Sequence, residues 1–162
     1  MTSMQPGNML YFRDRDDWRK WLEVNHNREK EVWLVYYKVH TGKPSISYED
    51  SVEEAICFAW IDSIVRRLDD EKYIRKFIPR RKNSHWSESN KNRSERMFKE
   101  GRMTQTGLVL INEAKHNGEW YKARHTIKEP EISFFFEDAI AKNKEASDYF
   151  NTLAPSYRRD FF

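Results

Sequence analysis

The chain has 162 residues, of which 34% are charged and 15% aromatic, with a formal net charge of +3. That length fits one domain, or one domain with a small appendage, and the mixture of both charge signs with many aromatics excludes a disordered polyelectrolyte. The single cysteine, Cys57, excludes an internal disulfide and a thiolate metal cluster. No apolar run approaches the ~20 residues of a membrane helix, so the expectation is a reduced, cytoplasmic protein without a membrane span, monomeric or dimeric.

In chain order, residues 1–8 read as a flexible N-terminus around Pro6, Gly7 and Asn8, and residues 9–12 as a short strand. Asp14 can cap a helix running to Asn25, in which Trp18, Trp21 and Leu22 share a face at i, i+3, i+4. Residues 31–39 give the clearest strand, apolar on both faces and therefore central in a sheet. A loop follows over 40–45. Ser47, with Asp50 three residues on, caps a helix whose stripe for burial is Val52, Ala55, Ile56, Ala59 and Trp60. Residues 62–79 form a β-hairpin around the polar turn Asp69, Asp70 and Glu71, and its Arg66 and Arg67 must point to opposite faces.

Strand signals stop after Pro79. Ser87 caps a helix to Glu100 that Gly101 terminates, and Thr104 caps another that carries Leu108, Ile111 and Ala114 to near Gly118. Residues 126–162 read as a C-terminal helical module: two more helices, then a short segment beyond Pro155. The expected class is α+β: a small, mainly antiparallel sheet with packed helices in a core over residues 9–125, followed by a helical C-terminal half.

Charge is unevenly spread. Between Arg75 and Arg102 ten Lys or Arg face three Glu, a local charge of +7 that leaves −4 for the rest of the chain. Arg80, Arg81 and Lys82 precede the helix capped by Ser87, and Asn90, Lys91 and Arg93 lie in its first turns. Free amides at that helix N-terminus would add to the attraction for phosphate or carboxylate, so an anionic ligand, a nucleic acid or an acidic protein surface is the partner class this segment fits. Within the helix, Lys91 with Glu95 and Arg96 with Glu100 are spaced to pair with one another. Trp86 can cover a base or sugar, or anchor the core.

For catalysis, Ser84, His85 and Ser87 suggest a nucleophile, but adjacent extended residues point apart and Ser87 already serves as a cap. The five histidines are scattered without ligand spacing, so no metal and no cofactor is implied. Asp62, at a helix-to-strand junction, can satisfy backbone amides or pair with an arginine. Its functional reading is a polar anchor in a pocket bordered by Trp60, Arg80, Trp86 and Lys91. Three classes therefore remain open: a binding module using residues 80–102, an enzyme with a pocket around Trp60, Asp62 and Lys91, and a structural interaction domain.

Over residues 57–107 the motif block resembles the YdeI/OmpD-associated, or bacteriocin-protection, family. The matching residues are Cys57, Phe58, Trp60, Ile61, Asp62 and Ser63, then Asp69, Asp70, Tyr73, Phe77, Pro79 and Arg80. They continue with Ser84, Trp86, Ser87, Asn90, Lys91 and Arg93, and with Gly101, Arg102, Met103 and Gly107. The resemblance implies a non-catalytic role in resistance to bacteriocins or cationic peptides, with an envelope or porin-type protein as partner. Ala59 stands where that family usually has glycine, which argues against an unusual backbone angle there. The family usually continues past the position of Phe162 with a basic helix, so the C-terminal module reads as truncated or naturally shorter.

Overall fold

In the computed structural model the described residues are 7–122, together with Lys144 and Asp148. The chain divides into two units, residues 1–122 and 123–162, and the architecture below is that of the first. Of the expected flexible N-terminus, 1–8, residues 1–6 lie outside the described residues, as do the expected helices of the C-terminal module apart from two isolated helical positions.

The elements are β1 (Met9–Tyr11), α1 (Arg15–Asn25), β2 (Val32–Tyr37), α2 (Tyr48–Cys57), β3 (Trp60–Arg67), β4 (Lys72–Pro79), α3 (Glu88–Lys99) and α4 (Gln105–His116), with a single 3-10 turn, Val39–Thr41, after β2. The strands form one sheet in the order β1-β2-β4-β3. β1 pairs parallel to β2, which is possible because α1 carries the chain back between them; the other pairings are antiparallel. The fold is α+β, and β2 is an inner strand, as its two apolar faces require.

Alternation along the strands sorts the side chains. Val32, Leu34 and Tyr36 of β2 and Phe77 of β4 share the face that receives the helices, and all four are buried. α1 contributes Trp18 and Leu22, and α2 contributes Val52, Ala55 and Ile56 to the same core. Trp18 sits 5.2 Å from Trp21 and 5.5 Å from Phe77, and its indole N–H donates to the Ser51 carbonyl at 3.0 Å, so its polar atom is satisfied. On the opposite face Trp33 lies beneath the Arg66 and Lys76 cations. This is how two adjacent arginines are accommodated: Arg66 covers Trp33, while Arg67 reaches Asp70 in the turn.

Two details differ from the expectations. α2 ends at Cys57, so Ala59 and Trp60 are not on its stripe; Trp60 opens β3 and donates its indole N–H to the His26 carbonyl at 3.1 Å. Ala59 turns the chain between them with φ +60, so the unusual backbone angle is present even though the residue is alanine. A left-handed conformation crowds a Cβ, and only glycine takes it freely. Ala59→Gly is therefore expected to raise the stability by roughly 1 kcal/mol, read from the urea midpoint. A lower midpoint would show that the turn carries no strain.

Candidate functional site

α2 is acidic where α3 is basic, and the two helices are zipped by this difference. Glu49 meets Arg93 and Arg96, Glu53 meets Arg96, and Glu54 meets Arg102 just beyond α3. Later residues of one helix meet later residues of the other, so the helices run side by side in the same direction. α1 joins from the other flank: Arg15 bonds Glu54 at 2.6 Å and Asp50 at 3.0 Å, and Arg19 bonds the second Glu54 oxygen at 2.8 Å. Glu54, fully buried, thus sits among three arginines. Burial, the largest single effect, would lower the Arg15 and Arg19 guanidiniums, but the Glu54 hydrogen bond and the nearby carboxylate charges together outweigh it and both end above the ordinary arginine value.

The parallel packing brings the N-terminal ends of α2 and α3 to one end of the sheet. Ser47 and Ser87 cap them, accepting from the Asp50 and Asn90 amides. Thr104 caps α4 in the same way through the Gly107 amide. Beside the α2 and α3 ends, strand alternation puts Asp62 of β3 and Arg75 of β4 on the helix-facing side. Arg75 Nη1 donates to Asp62 Oδ2 at 2.7 Å, and the Tyr48 hydroxyl donates to the same oxygen at 3.2 Å. The Arg75 guanidinium also lies over the Tyr48 ring at 4.2 Å. Burial, with the Asp62 charge, raises the Tyr48 phenol above its ordinary value, so it is a donor here and not an acid.

Arg80 completes this corner. Its amide donates to the Ala59 carbonyl at 2.8 Å, its Nη2 donates to the His85 carbonyl at 2.6 Å, and its guanidinium stacks on Trp86 at 3.9 Å. The Asp62 charge acts on it, yet no carboxylate bonds it among the described residues, and its Nε has no partner there. With 8% exposure, burial pushes the guanidinium down to about 10, still well above neutral pH, so it keeps its charge. Arg75 also leaves its Nε unpartnered among the described residues.

The residues expected to converge do so only in part. Asp62 and Arg80 share the corner, with Arg93 close by through Glu49, to which it donates at 3.0 and 2.7 Å. Trp60 is in the core beside Trp21, and Trp86 is buried against Trp120 at 5.0 Å. Lys91 pairs with Glu88, not Glu95; Asn90 accepts from Arg93; Lys82 reaches Glu113 on α4; Arg81 is exposed. Arg96 takes Glu49 and Glu53 instead of Glu100. Lys91 thus still pairs within α3, whereas Arg96 leaves it because α2 offers better-placed, less exposed carboxylates. Tyr48 and Arg75 escaped the sequence reading. The signal for Arg75 was its i−2 spacing from the core residue Phe77, which sends both to one face.

Other nucleophiles are committed elsewhere. Ser84 Oγ donates to the Arg81 carbonyl and Ser87 Oγ serves the α3 cap, and neither is hydrogen-bonded to the His85 ring among the described residues. No cluster of three His, Cys, Asp or Glu residues that could hold a metal occurs among the described residues. Burial, reinforced by Glu54, pushes the Cys57 thiol up to about 12. Native protein at pH 8 is therefore expected to leave Cys57 unmodified by Ellman's reagent, with full reaction in denaturant. Rapid native labelling would overturn that assignment.

Fold and site together describe a small α+β domain braced by an arginine–carboxylate clamp and carrying a cationic corner at one end of its sheet. The chain belongs to the family described as a domain of unknown function (DUF8412), whose model matches residues 10–110, from β1 to the middle of α4. No curated protein and no solved structure matches it. No helix among the described residues is long and apolar enough to cross a membrane.

Proposed function

We propose that the domain is a non-catalytic binding protein, of the kind its YdeI/OmpD-like motifs imply, and that it takes an anionic group at the corner of Arg80, Arg75 and Asp62. The observation that carries this reading is Arg80. Seven of the ten cations between Arg75 and Arg102 are in ion pairs, six of them with carboxylates from outside that segment. Arg80, Arg81 and Lys99 are the remainder among the described residues, and Arg80 alone of these is buried. A buried guanidinium without a counter-charge is costly to a fold, and an anion bonded to it would remove that cost. The N-terminus of α3, capped by Ser87 next to the Trp86 on which Arg80 stacks, adds favourable potential for such a group.

The internal pairing counts against the nucleic-acid alternative, because the cations that made the segment look basic are spent within the fold. An enzyme around Trp60, Asp62 and Lys91 is disfavoured too: Trp60 faces the core and Asp62 is held by two donors. The anionic group can belong to a small molecule or to an acidic side chain of an envelope protein partner.

Inorganic phosphate serves as the probe. Thermal unfolding is followed with phosphate and with sodium chloride at equal ionic strength, for the wild type and for Arg80→Met, which retains the stem against Trp86. Phosphate is expected to raise the wild-type Tm beyond the chloride control and to leave Arg80→Met unmoved. Without phosphate, Arg80→Met is expected to be neutral or more stable by about 1 kcal/mol, because the uncompensated charge is gone. A phosphate shift that persists in Arg80→Met, or none in the wild type, sinks the proposal.

A further inference from the structure

The helices α3 and α4 leave a groove between them, separated from the Arg80 guanidinium by the packed Trp86 and Trp120 rings, with a volume of ≈ 410 Å³. Its apolar lining comes from Phe98 on α3, Leu108 and Ile111 on α4, and Trp120 beyond α4. Trp120 is fixed from behind by Trp86 and closed to its own chain by a hydrogen bond from its amide to the Ala114 carbonyl. Phe98, by contrast, is 62% exposed, although it borders an apolar recess into which a neighbouring group could seal it.

The charges around the groove differ from those elsewhere in α3. Lys99 and Lys115 both line it, and neither forms an ion pair among the described residues. The Lys115 ammonium instead lies 5.0 Å over the Trp120 ring. Glu95 is the one carboxylate in the lining, and it too is unpaired among the described residues. The other cations of α3 are in ion pairs, so the ammoniums of Lys99 on α3 and Lys115 on α4, unpaired among the described residues, leave the groove with one surplus positive charge against its one carboxylate.

We propose that this groove binds an amphipathic organic monoanion, its apolar body lying against Phe98, Leu108, Ile111 and Trp120 and its carboxylate meeting the Lys99 and Lys115 ammoniums. The volume lies within the range that holds small ligands, and an apolar recess with a few polar groups at its edge is their usual setting. Desolvation of Phe98, with the half-buried Leu108 beside it, supplies affinity, while the surplus charge selects an anion over a cation carrying the same tail. No bond is made or broken; the site is one of recognition.

Decanoate, below its micellar concentration, is the probe, measured by isothermal titration calorimetry with the full chain. Acetate tests the need for a tail, and decyltrimethylammonium tests the sign of the head group. Decanoate is expected to bind and the other two to fail. Phe98→Ser and Lys99→Met alter exposed side chains, so each should leave the Tm unchanged while weakening decanoate about tenfold. Arg80→Met should leave decanoate binding intact, which separates this site from the phosphate site. Equal binding of the cationic tail, undiminished affinity in both groove variants, or no decanoate binding overturns the proposal.

Discussion

Glu54→Ala is expected to destabilise the protein by about 3–5 kcal/mol, lowering the Tm by roughly 10–20 °C. The reason is the number of partners, not the strength of any one bond. Glu54 is fully buried on α2, and Arg15, Arg19 and Arg102 each place a guanidinium nitrogen within 2.6–2.8 Å of it. Removing the carboxylate strips three partly buried cations of their closest counter-charge at once, leaving the longer or more exposed pairs with Asp50, Glu53, Glu23 and Asp16 against their mutual repulsion. Arg15 and Arg19 belong to α1, while Arg102 follows α3, so the loss loosens three helices together. The exposed Glu95, unpaired among the described residues, is the control, and Glu95→Ala should stay within ±0.5 kcal/mol of wild type. Equal effects of the two substitutions would show that the clamp does not hold the fold.

The clamp also has an acid limit. The Arg93 hydrogen bonds, with Arg96 behind them, hold the Glu49 carboxyl below its ordinary value. For a depressed carboxyl the stabilisation is complete above the unfolded pKa and fades as pH falls through the folded one. Glu49 is about half exposed, so solvent screening keeps its share modest.

Gly107→Ala should cost about 1–3 kcal/mol, against the ordinary preference of a helix for alanine over glycine. Gly107 lies in the first turn of α4, which docks on the end of α2. The Thr104 hydroxyl donates to the Cys57 carbonyl there, and a Cβ at position 107 would lie 2.5 Å from that same oxygen. It would also lie 2.5 Å from the Met103 sulfur, but a methionine side chain can swing aside and a backbone carbonyl cannot. Helix propensity alone predicts a gain of about 1 kcal/mol, so the sign of the measured change decides between the two effects. Gln105→Ala, an exposed change in the same turn, provides the reference. A stabilised Gly107→Ala would mean that α4 does not approach α2 this closely.

Local pattern was enough for most of the scaffold. The cap at Asp14, the apolar run of β2, the polar turn at Asp69 and the caps at Ser47, Ser87 and Thr104 are set by neighbours a few residues away, and each is found where short-range chemistry puts it. The α+β class follows from their order. Ala59 went the other way, because a positive φ is imposed by the need to leave α2 and enter β3 within two residues, and an alanine does not advertise it.

Charge was where sequence and structure parted. The excess of cations between Arg75 and Arg102 is visible in the sequence, and so is the acidity of Glu49, Asp50, Glu53 and Glu54, yet the two stretches are some forty residues apart. Only when α2 and α3 lie parallel do they become each other's partners, and a surface that looked ready for an anionic polymer becomes an internal brace. The same packing moves Arg80 under Trp86 and leaves Lys99 and Lys115 unpaired at a groove. Sequence determines which charges exist and which local elements carry them; tertiary contact decides which are neutralised, because Coulomb attraction and desolvation depend on separation and burial in space, not on distance along the chain.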